Sequence, residues 1–253
     1  MGTDDPTQRF SNRVVDYVKY RPTYPPDLIA ALKAKMPAGA ITADIGAGTG
    51  IFTRLLLDQD FTVFAVEPNS AMRHQAETDL RGYPAFHSVS GQAEATTLSV
   101  QSINLITCAQ AFHWFATPAA VAEFRRILRP GGAIALIWNQ RRTVGSAFAR
   151  GYEALLCQYA TDYISVRHEN ITVDLISQLF SGFNLTTTAY DNAQDLSWAG
   201  LKGRLESCSY CPPIDHPHYG PLLAHLQKLF VDHAQVGQVQ IAYDTLVYWL
   251  RSG

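Results

Sequence analysis

No apolar run in this 253-residue chain approaches the roughly 18 residues of a helical membrane span, so a membrane protein is not expected. Basic residues are not in excess. Twenty Lys and Arg stand against 22 Asp and Glu, a net charge of −2. Phosphate neutralisation dominates nucleic-acid binding, so nucleic acid is not an expected partner. Four cysteines do not suggest a disulfide framework. The opening MGTDDPTQRF has neither a basic region nor an apolar region of a secretion signal. Pro6 also stands where a myristoylation signal needs Ser or Thr. Repeats and low-complexity segments are absent. The expectation is a cytoplasmic protein. The apolar fraction of 47% is ordinary for a globular chain, and the length suits a single domain, 1–253, with a small cap to spare.

Strand and helix signals alternate through the first 140 residues. Helices are expected over 26–35, 49–58, 70–77 (capped by Asn69 or Ser70) and 118–128. Strands are expected over 41–45, 61–67, 85–91, 102–110 and 132–139. Such alternation implies parallel strands joined by right-handed crossovers. Beyond Asn139 the pattern changes. Helices carrying Tyr152, Tyr159 and Tyr163 are expected over about 145–180, then a strand over 183–190 and a helix over 198–210. A turn-rich loop over 211–221, a helix over 222–234 and a last strand over 239–250 follow.

The densest signal is Ile41 to Phe52, ITADIGAGTGIF. An apolar strand ends on Asp44, passes through glycines at 46, 48 and 50, and opens a helix. Glycine permits positive φ and lets a ligand approach where a Cβ would clash. Amides at the start of the helix are expected to face that ligand. The spacing is not the dinucleotide fingerprint G-x-G-x-x-G/A, because Ile51 occupies the place of its third small residue. That argues against a nicotinamide-dependent oxidoreductase.

The D-x-G-x-G-x-G turn resembles motif I of the class I S-adenosylmethionine (SAM) methyltransferases, which wraps the methionine end of the cofactor. Further segments fit at matching order and spacing. Glu67, followed by Pro68, ends the second strand, where an acid can accept hydrogen bonds from both ribose hydroxyls. Gly91-Gln92-Ala93-Glu94 resembles the adenine loop, with Gln92 where many members carry Asp. Cys108 to Phe115, CAQAFHWF, lies at the carboxyl end of the fourth strand. Leu128-Arg129-Pro130-Gly131-Gly132 looks like the L-x-P-G-G turn before strand five. Tyr17-x-x-Tyr20-Arg21-Pro22-x-Tyr24-Pro25 resembles a type 11-like subgroup that includes the trans-aconitate methyltransferases, where this segment forms a lid. Arg204-x-x-Ser207-x-Ser209-Tyr210-x-Pro212 is similar to another recurring segment of these proteins.

The resemblance implies a Rossmann-like α/β fold. Its sheet would be seven-stranded and mostly parallel, with helices on both faces and an antiparallel last strand. A lid over about 10–36 and cap insertions over about 140–180 and 198–221 would complete it. The implied activity is transfer of the sulfonium methyl of SAM to a small molecule, such as a carboxylate or a hydroxyl, by a monomer or homodimer. Cofactor residues implied by the motifs are Asp44, Gly46, Ala47, Gly48, Gly50, Glu67, Pro68, Gln92, Ala93, Gln110 and Trp114. His113 is a candidate general base, because a neutral imidazole can take a proton near neutral pH. Tyr20 joins it as a catalytic candidate. Tyr17, Arg21, Tyr24, Phe115, Arg204 and Tyr210 are substrate candidates. The aromatics could enclose a sulfonium, and the arginines could fork onto a carboxylate. A cyclopropane-forming lipid enzyme and a non-catalytic SAM-binding protein remain as alternatives. Cys208, Cys211, His216 and His218 lack the spacing of a zinc site, so no metal is expected.

Overall fold

The computed structural model describes residues 19–166 and 168–252. The strands are β1 (Ile41–Ile45), β2 (Thr62–Val66), β3 (Phe86–Val89), β4 (Ile103–Ala109), β5 (Leu128–Arg141), β6 (Phe183–Leu196) and β7 (Val239–Ser252). The helices are α1 (Pro26–Lys35), α2 (Ile51–Leu57), α3 (Ser70–Leu80), α4 (Pro118–Ile127), α5 (Ala147–Tyr159), α6 (Tyr163–Val166), α7 (Val173–Leu179), α8 (Trp198–Glu206) and α9 (Tyr219–His233).

Among the described residues the strands form one seven-stranded sheet, ordered β3-β2-β1-β4-β5-β7-β6. β1 pairs in parallel with β2, from Ile41 opposite Thr62 to Ile45 opposite Val66. β7 runs antiparallel to both β5 and β6. Six strands therefore share one direction and the last opposes them, as expected from the sequence. The chain order reverses beside β1, between β1 and β4. At such a switch point the loops leaving adjacent strands diverge and open a crevice at the carboxyl edge.

The central strands are buried on both faces, which is why they read as continuous apolar runs. One face packs under α4 and α7 through Phe112, Phe124 and Phe180. The other packs under α1, α2 and α3 through Leu28, Leu56 and Leu80. A third cluster joins α5, α8 and α9 to the start of β7 through Leu156, Leu205, Leu226 and Tyr243. Local chemistry sets the helix starts. Asn69 Oδ1 accepts from the Met72 amide at 3.0 Å, and Thr117 Oγ1 accepts from the Ala120 amide at 3.2 Å. The Pro130-Gly131-Gly132 turn lies inside β5 as an irregularity, between the pairs Leu128–Ile103 and Ala133–Leu105.

Several boundaries differ from the sequence reading: β5, expected over 132–139, spans Leu128–Arg141, and three others have a local cause. β6 runs on to Leu196 because β7 pairs with it along its whole length. α8 stops at Glu206, so Ser207–Tyr210 belong to the loop beyond it. α9 begins at Tyr219, with Pro221 in its first turn, where a missing amide costs nothing. No helix among the described residues is long and apolar enough to cross a membrane.

Candidate active site

The glycine turn closes over β2. The amides of Gly46 and Ala47 donate to the Val66 carbonyl at 2.9 and 3.2 Å. The Gly48 amide donates to Glu67 Oε2 at 2.8 Å, and the Asn69 amide donates to Glu67 Oε1 at the same distance. The turn thus spends these four amides on its own fold. It offers shape instead. Gly48 takes φ +59°, and a Cβ there would meet nothing nearer than Met72 Sδ at 3.9 Å. At Gly46 a Cβ would stand 2.7 Å from Ala111 Cβ, so that glycine serves the packing of the turn on the loop after β4. Gly50 likewise packs on α3, where a Cβ would approach Leu80 Cδ1 at 2.8 Å.

Asp44 lies beneath the turn and not in the main cavity. Its carboxylate accepts from Thr53 Oγ1 at 2.7 Å and Thr107 Oγ1 at 2.8 Å. Burial, reinforced by the nearby Glu67 charge, outweighs those hydrogen bonds and pushes its pKa up to about 6. Because the folded value exceeds the usual 3.8, the native state holds this proton more tightly. The resulting stabilisation is present at low pH and is lost as pH rises through about 6. Asp44→Asn is therefore expected to be more stable than wild type at pH 8, by at most about 3 kcal/mol. The gap should close towards pH 4. Denaturant titrations of both proteins across that range check it; a gap that widens on acidification would refute it.

A cavity of about 450 Å³ opens at the carboxyl edge of the sheet. Along β1–β4 it is lined by Gly46, Gly48, Glu67, Pro68, Gln92, Ala93 and Gln110. His113, Trp114 and Phe115 come from the short 3-10 turn Phe112–Trp114 and its end. Arg21, Arg204 and Tyr210 line it as well. Most of the candidates drawn from the sequence thus meet in one cavity. Glu67 is buried there, and burial raises its pKa despite the hydrogen bonds from Asn69 and Gly48. Gln110 holds a left-handed backbone at φ +56°, fixed by its amide on the Ile137 carbonyl at 2.8 Å. Its side-chain amide donates to the Asn139 carbonyl at 3.2 Å.

Besides Asp44 and Gly50, four candidates do not line this cavity. Tyr17 falls outside the described residues. Tyr20 does not line the cavity; its ring packs against Gly203 of α8, where a Cβ would come within 2.2 Å of it. Tyr24 is buried with its ring edge-on to Phe52, centroids 4.9 Å apart. Ala47 borders a separate void of about 30 Å³ together with Asp44 and Tyr24. Tyr20 and Tyr24 therefore pack the segment 19–25 against the body. That segment is also held by polar bonds. Arg21 Nη2 donates to the Ser207 carbonyl at 3.0 Å, and the Asn139 and Asn192 side chains donate to the Thr23 carbonyl at 3.1 and 2.9 Å.

Beyond β5 the cavity acquires residues that the sequence did not single out: Asn139, Arg141, Tyr163, Glu169 and Tyr243. Arg141 pairs with Glu153 and donates to Tyr163 Oη at 3.0 Å, while its buried Nη1 has no hydrogen-bond partner among the described residues. Arg204 is 8% exposed. Its Nη1 donates to Cys208 Sγ at 2.8 Å and its Nε to Tyr243 Oη at 3.4 Å. No carboxylate pairs with it among the described residues. Burial pushes the Cys208 thiol up, but Arg204, Arg21 and hydrogen bonds from Tyr210 and Arg204 outweigh it and hold the thiol below its ordinary value. A signal for Asn139 and Arg141 did exist: they stand at the carboxyl end of a central strand, where α/β sheets bind ligands. No group of three or more His, Cys, Asp or Glu is arranged to hold a metal among the described residues.

Residues 43–136, from β1 into β5, match the family model described as a methyltransferase domain. An uncharacterised methyltransferase of Mycobacterium tuberculosis is 37% identical over 138 residues, 54% of this chain and 54% of the relative. One from Schizosaccharomyces pombe is 33% identical over 135 residues, 52% and 53% of the two chains. The chain thus spans about half the length of the curated relatives it matches. The fold is that of the class I methyltransferases. A structure from Anaeromyxobacter dehalogenans, provisionally titled a type II methyltransferase, superposes with a TM-score of 0.66 at 22% identity, covering 92% of this chain and 97% of that one. Phosphoethanolamine N-methyltransferase 2 of Haemonchus contortus, solved with S-adenosyl-L-methionine, gives a TM-score of 0.59 at 15% identity, covering 98% and 58%.

Proposed function

We propose that this protein is a SAM-dependent methyltransferase whose acceptor is a small molecule carrying a carboxylate. The single observation that carries the acceptor class is Arg204, a buried guanidinium at the cavity wall with no carboxylate of its own among the described residues. A buried cation of this kind is costly until an anion reaches it. Arg141, with its unused Nη1, adds a second donor on the same wall.

The residues fit the cofactor. Gly48 leaves open the space that a Cβ would fill, and Glu67 places a buried carboxylate beside it. Glu67 would receive the ribose hydroxyls. Gln92 and Ala93 would meet the adenine, and Gln110 and Trp114 the methionine end. When bound, SAM supplies a methyl on a sulfonium: as an acceptor carboxylate oxygen forms the new C–O bond, the C–S bond breaks, its electron pair stays on sulfur, and no proton is released. The protein's contribution is then alignment, worth roughly 7–11 kcal/mol of the barrier when both reactants are held in line. The segment 19–25 and helices α5, α8 and α9 act as the lid and cap that exclude water from this half of the cavity.

Calorimetric titration with SAM and S-adenosylhomocysteine tests the cofactor, with micromolar binding of both expected. A panel of small mono-, di- and tricarboxylic acids, followed by release of S-adenosylhomocysteine, tests the acceptor. No binding of either nucleoside would overturn the reading. Binding with turnover only on uncharged acceptors would overturn its acceptor half.

A further inference from the structure

His113 holds an unusual position for a general base. It lines the cavity, and its Nδ1 accepts a hydrogen bond from the indole Nε1 of Trp138 at 3.3 Å. Trp138 is 2% exposed and sits on β5, inside the sheet between β4 and β7. An indole nitrogen is a donor and never an acceptor. Nδ1 must therefore present its lone pair to Trp138, and the hydrogen of the neutral ring must sit on Nε2. A neutral imidazole in that tautomer has no second lone pair with which to take a proton. To become charged it would have to place an N–H against the indole N–H and break the buried bond.

We infer that His113 is a hydrogen-bond donor to the acceptor, fixed in its Nε2–H tautomer by Trp138, and not the base of the reaction. This rests on the methyltransferase reading above and deepens it. A carboxylate acceptor loses no proton on methylation, so no base is required. It does need the oxygen that is not attacking held still, so that the other one lies in line with the methyl. Nε2–H supplies that hold from the loop after β4, while Arg204 and Arg141 hold the anion from the cap side. A hydroxyl or amine acceptor would need the opposite tautomer, with a free lone pair facing the cavity. The Trp138–His113 bond therefore also selects against acceptors that must be deprotonated.

The other charged groups lining the cavity are Glu67, Glu94, Glu169, Arg21, Arg141 and Arg204. Comparison with His113 variants separates their titration from that of the imidazole. Nitrogen-15 NMR of the free enzyme, labelled in histidine, is expected to show the neutral His113 ring as the Nε2–H tautomer. With a carboxylate acceptor, kcat should show no acidic limb that depends on His113. His113→Leu should lower kcat about 100-fold, as loss of one positioned donor does. His113→Gln, whose amide can still donate, should recover to within about tenfold of wild type. Both should bind S-adenosylhomocysteine as wild type does, so failure here is distinct from failure of the cofactor reading.

Trp138→Phe gives the sign. Without the indole the neutral ring samples both tautomers and loses part of its donor, whereas the imidazolium donates from Nε2 regardless. Activity of this variant should rise as pH falls through the imidazole range near 6.5. A general base predicts the reverse, with activity falling on acidification. An Nδ1–H tautomer in wild type, or an acidic limb that disappears in His113→Gln, would overturn the inference.

Discussion

Gly48→Val is expected to weaken binding of S-adenosylhomocysteine at least about 1000-fold, a loss of about 4 kcal/mol, while the protein still melts cooperatively. Three glycines that look alike in sequence have different surroundings in the fold. A side chain at Gly46 would strike Ala111, and one at Gly50 would strike Leu80, so those variants report on folding as much as on binding. Gly48 has room for a Cβ, with only Met72 Sδ within 4 Å at 3.9 Å. The folded protein therefore pays only the strain of a left-handed backbone, about 1–2 kcal/mol. The added methyls have the cavity to occupy, beside the Glu67 carboxylate that the Gly48 amide holds. Calorimetry and a thermal melt on the same preparation decide it. Retained binding with an intact melt would mean that the cofactor does not lie over this turn.

The half of the cavity proposed for the cofactor was legible because local rules and the fold agree there. Strand β1, the glycine turn and Glu67 lie within 27 residues, and apolar periodicity alone places each of them at the carboxyl edge of the sheet. The acceptor half was not, because it is assembled from parts far apart in the chain. Asp191 and Asn192 are turn-forming residues, and the sequence reading ended a strand before them. Pairing with Asp244 and Tyr243 of β7 overrides that preference. The strand then carries Asn192 far enough to donate to both Thr23 and Asn139. Nothing near Asn139 or Arg141 in sequence announces that α5 will bring Glu153 to the arginine. The aromatic motif around Tyr20 and Tyr24 was visible, but its signal does not distinguish a ring that encloses a ligand from one that packs against Gly203 or Phe52. For His113 the residue was legible and its role was not, since the tautomer depends on Trp138, 25 positions away.

Arg204 carries the second large effect, and the sign of its stability change makes it diagnostic. Arg204→Met is expected to raise KM for a carboxylate acceptor by about 100-fold or more, in line with losing one partner of a buried charge pair. Thermal stability should be unchanged or higher. Removing a buried charge usually destabilises when it strands its partner, and here no partner is stranded. The Cys208 thiol only loses the positive charge that helps hold it below its ordinary value. Its Sγ–H keeps the backbone carbonyl of residue 204 as acceptor at 3.3 Å. Tyr243 keeps Gln194 Oε1 as the acceptor for its hydroxyl at 2.9 Å. Methionine fills a similar volume with no desolvation cost. Arg204→Lys should fall between the two in KM, because it restores the charge but not the two-pronged geometry. Affinity for S-adenosylhomocysteine should be the same in all three proteins, since Glu67 and Gly48 lie towards the β2 side of the cavity and Arg204 on the cap side. An unchanged KM in Arg204→Met, or a drop of several degrees in Tm, would show that the guanidinium is there for the fold. A raised KM in a protein that melts no earlier than wild type would show that the chain tolerates a buried, uncompensated cation because its acceptor is an anion.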